Sequence, residues 1–167
     1  LLAGVRRAAH VHVAPVYMDS IVKEVCERLA PMIEESNAQI TIPSEWPVVN
    51  GYAPWIEQIW FNYISNALKY GGEPPEVTLG VNILDNDLVQ FWVRDNGPGL
   101  TTEQQEKVFA PFTRLSDRKV EGHGLGLSIV QRIVNRLGGS VAVESEIGQG
   151  SVFYFTLPLA DDDYQLN

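Results

Sequence analysis

The chain has 167 residues, 45% of them apolar, with a formal net charge of -9 and an isoelectric point near 4.7. That length suits one domain with a sizeable core, and the even spread of apolar residues argues against both disorder and a membrane span. The acidic balance works against broad binding to nucleic acid or anionic lipid, so any phosphate site has to be local. Cys26 is the single cysteine, which leaves no intrachain disulfide and no cysteine-rich zinc site and points to a reducing compartment, the cytoplasm by default. The first residue is Leu1 rather than Met and no basic-then-apolar leader follows it, the pattern expected of a piece of something longer.

Residues 1–7 read as the end of an earlier helix, and residues 10–13 alternate as an edge strand does, so residues 1–14 are expected to be a linker before the main domain. Apolar residues at helical spacing (Ile21, Val25, Leu29, Ile33, with Val22 and Cys26) predict a core-facing helix over 16–35, bent near its end by Pro31. Short strands are expected over 39–42 and 48–50. Pro54 is placed to open a helix that runs to about Tyr70 and stops at Gly71 and Gly72, read as a left-handed cap. Segments 77–84 and 88–94 alternate around Asp85, Asn86 and Asp87, a hairpin signature. After a glycine- and charge-rich loop, helical periodicity returns over 125–137 and ends at Gly138 and Gly139. Segments 140–144 and 151–157 form a second hairpin across Gly148, Gln149 and Gly150, followed by an acidic tail over 160–167. Two antiparallel hairpins with helices between them predict an α+β two-layer sandwich over residues 15–159. About five strands in a mixed, mostly antiparallel sheet are expected to pack on three helices.

Three groups of residues stand out chemically. On the helix from Pro54, a turn of about 100° per residue puts Asn62, Asn66 and Lys69 within about 60° of one another. Nearly all the other positions of that helix are apolar, and the stripe is either a solvated face or a polar site. Asp95-Asn96-Gly97-Pro98-Gly99 directly follows a strand. It reads either as an ordinary turn or as a fixed carboxylate that accepts from an adenine amino group, with Gly97 and Gly99 letting backbone come close to the base. Gly122-His123-Gly124-Leu125-Gly126-Leu127 opens a helix, where free N–H groups and the helix dipole suit a di- or triphosphate. Its spacing is not that of a dinucleotide fingerprint, and the chain has no Gly-Lys pair for a P-loop.

In this order the three groups resemble the gyrase, heat-shock chaperone, histidine kinase and mismatch-repair ATPase superfamily, over about residues 17–158. Asn62 to Tyr70 is similar to the N box of histidine kinases, and Phe109-Ala110-Pro111-Phe112 to their F box. The resemblance implies the Bergerat-type ATP-binding fold. It implies that Asn66 coordinates Mg2+ with Asn62 in support, that Lys69 meets the phosphates, and that Tyr70 and Asp95 hold the adenine beside Gly97 and Gly99. Gly122, His123, Gly124, Leu125, Gly126 and Leu127 would form the lid hinge and phosphate cradle. Arg114 matches the arginine that often follows the F box and would clamp the γ-phosphate, making Lys69 and Arg114 the residues closest to the chemistry. Arg118 and Lys119 read equally well as solvated lid charges. His123 stands where the family has a small hydroxylated residue, Gly71 and Gly72 replace a threonine or serine, and the short lid resembles that of phytochrome-type kinases.

Self-sufficient ATPases of this superfamily carry a glutamate four residues before the magnesium-binding asparagine. Here that position is Asn62, and an amide is no general base near neutral pH. The sequence therefore resembles the catalytic module of a two-component sensor histidine kinase. Such a module binds ATP and Mg2+ and passes the γ-phosphoryl group to a histidine on a separate dimerisation hairpin. His10 and His12 lack the acidic-then-basic context of a phosphoacceptor and read as surface histidines on a strand. The hairpin is expected before Leu1, the parent to be a homodimer that signals to a response regulator, and the fragment alone to be a monomer. The alternatives are a gyrase- or chaperone-type ATPase and a non-catalytic ATP-binding scaffold.

Overall fold

The computed structural model describes residues 11–111 and 126–161. Five strands form one sheet in the order β2 (Gln39–Thr41), β4 (Glu76–Ile83), β5 (Leu88–Arg94), β7 (Ser151–Pro158) and β6 (Val141–Ser145), with β1 (Ala14–Val16) and β3 (Val49–Gly51) paired in a separate two-stranded sheet. Only the β2–β4 pair of the large sheet is parallel. This is the α+β sandwich with a mixed, mostly antiparallel sheet that the sequence predicts.

The helices are α1 (Met18–Arg28), α2 (Ala30–Ser36), α3 (Ala53–Tyr70), α4 (Thr102–Lys107) and α5 (Gly126–Arg136). Alternation explains how they meet the sheet. Val89, Phe91 and Val93 of β5 and Phe153, Phe155 and Leu157 of β7 all point to the helical side and are buried. α3 lies between α1 and α5 with Ile56, Ile59, Trp60, Tyr63, Ile64, Ala67 and Leu68 buried around most of its circumference. An aromatic cluster locks it to the sheet. Trp60 meets Phe155 edge-on at 5.1 Å between centroids, Phe91 stacks on Phe155 at 5.0 Å, and the Tyr63 hydroxyl donates to the Tyr154 carbonyl oxygen at 2.8 Å.

Several boundaries differ from expectation. The first strand begins at Ala14 rather than at residue 10; His12 is exposed and precedes it, and His10 lies outside the described residues. The long helix expected over 16–35 is two helices broken at Leu29, because Pro31 lacks an N–H and its ring excludes the carbonyl of the preceding turn, so it sits in the first turn of α2 instead. Among the described residues, five helical segments therefore replace the three expected. The additional α4 is capped by Thr101, whose side chain accepts from the Gln104 N–H while the Gln104 side chain accepts from the Thr101 N–H. Gly71 is extended (φ -68°, ψ -179°) rather than left-handed, whereas Gly138 does take a positive φ of 88° after α5. Ala160, the first residue of the expected acidic tail, is buried, and its N–H donates to the Val48 carbonyl. Tail residues 162–167 and leader residues 1–10 lie outside the described residues.

Phe155 has no exposed surface and touches Trp60, Tyr63 and Phe91. Phe155→Ala is expected to lower the unfolding free energy by about 3–5 kcal/mol, measured by urea denaturation.

Candidate functional site

The last turn of α3 and the turn after β5 come together at one end of the sheet. Between them lies a cavity of about 370 Å³ lined by Asn66, Lys69 and Tyr70 from α3, by Gly71, Gly72 and Glu73 after it, by Asp95, Pro98, Gly99 and Leu100, and by Ser151 and Phe153 of β7. Asn66 and Lys69 of the polar stripe on α3 thus face a concave site.

Asp95 continues the inward alternation of Val89, Phe91 and Val93, which carries a carboxylate into the helical side of the sheet, where it is 8% exposed. Its backbone N–H still joins the ladder by donating to the Ser151 carbonyl at 2.9 Å, and its Oδ1 accepts from the Gly97 N–H at 2.8 Å. Burial pushes the Asp95 carboxyl above the usual carboxylate range, partly offset by the backbone hydrogen bonds of Gly97 and Ser151 that favour the charged form. Gly97 does not line the cavity. A Cβ there would collide with the Tyr70 carbonyl oxygen, so the glycine lets the turn close onto the end of α3. Gly99 does line it, at a φ of 79° and with its α-carbon against the Glu146 backbone, which ties the turn to the second hairpin.

Behind the cavity a hydroxyl network stiffens the wall. Ser145 Oγ accepts from the Leu100 N–H at 2.7 Å, pairs with Ser151 Oγ at 2.7 Å and donates to the Gly150 carbonyl at 2.9 Å. Gln105 of α4 donates to the carbonyls of Leu100 and Ser145 at 3.1 and 3.0 Å.

Asn66, Lys69, Tyr70, Asp95 and Gly99 are therefore brought to one cavity. Asn62 sits one turn below Asn66, outside the lining; its Nδ2 donates to the Gln58 carbonyl at 2.8 Å, and its Oδ1 lies where a side chain on Gly126 would have to go. Gly126 is thus a point of close approach between α3 and the start of α5, and Leu127 is buried in the core. Arg114, Arg118, Lys119, Gly122, His123, Gly124 and Leu125 lie outside the described residues, as does Phe112 of the F box. Phe109 of that box packs edge-on against Phe153 at 6.2 Å, behind the cavity wall. Sequence reasoning missed Leu100, Ser151, Phe153 and Glu73. The strand alternation that buries Phe153 and Ser151 would have placed both on the side of Asp95.

Comparison with known proteins follows the same outline. The family described as "Histidine kinase-, DNA gyrase B-, and HSP90-like ATPase" matches residues 51–161. The adaptive-response sensory kinase SasA of Crocosphaera subtropica is 37% identical over 152 residues, which cover 89% of this chain and 40% of that protein. The chain thus spans well under half the length of this curated relative. Full-length ShkA solved in complex with AMPPNP superposes with a TM-score of 0.79 at 32% identity, over 92% of this chain and 32% of that one. The nucleotide-free catalytic domain of the histidine kinase ThkA superposes with a TM-score of 0.77 at 25% identity, over 89% of this chain and 97% of that one.

The raised Asp95 pKa has a definite sign for stability. A folded-state pKa above the unfolded value means the contribution is fully present below the unfolded pKa and lost as pH rises through the folded pKa, so the ionised carboxylate is a burden on the fold at neutral pH. Asp95→Asn is therefore expected to leave the chain at least as stable at pH 7, by thermal melting. In the unchanged chain, the contribution of Asp95 to stability should be lost as pH rises above the ordinary aspartate range, and thermal melting across pH should show that dependence reduced in Asp95→Asn.

Proposed function

The chain belongs to the Histidine kinase-, DNA gyrase B-, and HSP90-like ATPase family and is an ATP-binding catalytic domain of the sensor histidine kinase type, and from that premise we propose that it binds Mg-ATP and passes the γ-phosphoryl group to a histidine on a separate helical hairpin. The observation that carries the proposal is the joint lining of one cavity by Asn66, Lys69 and Tyr70 of α3 and by Asp95 and Gly99 of the turn after β5.

Each residue has a role set by its chemistry. Asp95 accepts the exocyclic amino group of adenine, the Tyr70 ring and the Gly99 backbone shape the slot around the base, and Gly97 lets the turn close onto the end of α3. Lys69, exposed at the end of α3 and lining the cavity, meets the phosphates as a positive charge. The described residues contain no group of three His, Cys, Asp or Glu side chains. The Asn66 side-chain amide, whose residue lines the cavity, supplies the kind of oxygen donor that suits magnesium, a hard cation that takes few protein ligands when phosphate oxygens and water complete its shell. Asn66 would hold the ion with Asn62 supporting from one turn below, and Arg114, Gly122, His123, Gly124 and Leu125 would close over the phosphates with Gly126 and Leu127 at the hinge. When bound, the magnesium ion neutralises charge on the phosphate oxygens.

In the transfer, an imidazole nitrogen forms a bond to the γ-phosphorus and the bond from that phosphorus to the β–γ bridging oxygen breaks. The electron pair leaves with ADP, and the imidazole gives up its N–H proton to solvent. The domain need only orient the γ-phosphoryl group and offset its charge, because imidazole attacks without strong base assistance. Asn62 occupies the position where an ATPase would need a carboxylate, and its amide is engaged with Gln58, which favours a kinase over an autonomous ATPase. The hairpin that bears the histidine and the dimer contacts would belong to the same parent protein, acting in the cytoplasm and passing its phosphoryl group on to a response regulator.

Mg-ATP at a hundredfold excess over its dissociation constant is expected to stabilise the chain by about 2.7 kcal/mol in thermal or urea unfolding, with little phosphate released. Rapid hydrolysis by the chain alone would instead identify an ATPase. Supplied with a hairpin bearing the phosphoacceptor, the chain should generate acid-labile, base-stable phosphate, and binding without transfer would leave only a scaffold. Asn66→Ala should abolish the metal-dependent part of ATP affinity, read by titration with and without magnesium.

A further inference from the structure

The segment between α3 and β4 supplies Gly71, Gly72 and Glu73 to the cavity lining without itself being helix or strand. Its shape is set from across the site by one side chain. Asn96 Oδ1 accepts from the Gly72 N–H at 2.8 Å and from the Glu76 N–H at 2.9 Å, and Asn96 Nδ2 donates to the Pro74 carbonyl at 3.1 Å. We propose that Asn96 is the positioning residue of the nucleotide-base pocket, holding the Gly71–Glu76 loop at a fixed distance from Asp95 so that the slot fits adenine. The proposal rests on the reading of this cavity as the adenine site and assigns it a further determinant of selectivity.

An amide is suited to this task in a way that its substitutes are not. It accepts twice and donates once in a single plane, whereas an aspartate at the same place accepts but meets the Pro74 carbonyl with a second acceptor, and an alanine does neither. The glycine pair is its counterpart. A Cβ on Gly72 would lie 2.8 Å from Asn96 Nδ2 and 2.9 Å from the Asn96 carbonyl oxygen, and one on Gly71 would lie 3.3 Å from Asn96 Oδ1. Larger residues at these positions would force the amide and the loop apart. Asn96 also follows Asp95 directly, so the group that accepts from the base and the group that fixes the facing loop are one peptide unit apart. Because Asn96 is exposed, its hydrogen bonds compete with water and contribute little to global stability. Their effect falls on the geometry of the cavity.

The test compares this chain with Asn96→Ala, Asn96→Asp and Gly72→Ala by calorimetric titration with Mg-ATP, Mg-GTP and magnesium tripolyphosphate, alongside melting without nucleotide. Asn96→Ala is expected to bind ATP about fivefold to tenfold more weakly. Its preference for ATP over GTP should narrow, its tripolyphosphate affinity should stay unchanged, and its melting temperature should move little. Asn96→Asp should fall between, and Gly72→Ala should reproduce the loss. Unchanged ATP affinity in Asn96→Ala would overturn the proposal, as would a loss shared equally by ATP, GTP and tripolyphosphate. Should Asn96→Ala fail to fold, the nearly isosteric Asn96→Asp decides by the same comparison. An unsubstituted chain with no preference for ATP over GTP would instead sink the adenine reading itself, and the proposal with it.

Discussion

Burying the broad apolar face of α3 against the sheet, between α1 and α5, is the constraint from which the rest of the site follows. Trp60 and Tyr63 are clamped against Phe91, Phe153 and Phe155, and the Tyr63 hydroxyl is committed to a carbonyl of β7. Those contacts fix both the rotation of the helix and its position along the sheet, because a helix held by large aromatic rings cannot slide without opening voids. Once rotation is fixed, Asn62, Asn66 and Lys69 have one direction in which to point. Translation matters as much. It places the last turn of α3 level with the end of β5, so that Tyr70 arrives beside Asp95 and its carbonyl comes so near Gly97 that no side chain fits between them.

The carboxylate at the other side of the cavity is held at a cost to the fold. Desolvation opposes its charge, and two backbone hydrogen bonds only partly compensate. A group kept in that condition inside an otherwise well-packed domain is a mark of binding chemistry rather than of stability. The surroundings are arranged accordingly. The Ser145–Ser151 pair, Gln105 and Asn96 each bond to backbone around the cavity, so that its walls are tied together by polar bonds.

Periodic features were the legible ones. The two hairpins, the apolar helix before Gly71 and the left-handed glycine after α5 can all be read from spacing and turn chemistry, and the α+β sandwich follows from them. The break at Leu29 was signalled by Pro31, but helical periodicity ran through it and concealed a change of axis. The short helix from Thr102 carries its capping box in plain sequence, yet six residues are too few for a hydrophobic period to announce them. Gly71 and Gly72 were recognised as a stop for the wrong reason. At Gly71 a Cβ would strike the Ala67 carbonyl oxygen of the preceding helical turn, whereas at Gly72 it would strike Asn96, in the turn after β5, a long-range contact that no local pattern encodes. Asn62 and Asn66 looked equivalent on a helical projection. Packing separates them, since the start of α5 at Gly126 comes to rest against Asn62 and leaves Asn66 at the cavity.

That separation bears on what the domain can do alone. Hydrolysis requires a base that takes a proton from water as the oxygen attacks the γ-phosphorus, and an amide whose nitrogen is donating to the Gln58 carbonyl offers neither basicity nor freedom to reorient. On the proposed reading, a bound nucleotide therefore waits on a nucleophile that arrives with its own lone pair available near neutral pH, as an imidazole does. The control of turnover then passes from the pocket to whatever brings the second group within reach. Such a site can hold ATP without wasting it, and the rate of transfer becomes a measure of how the two halves of the parent protein are arranged.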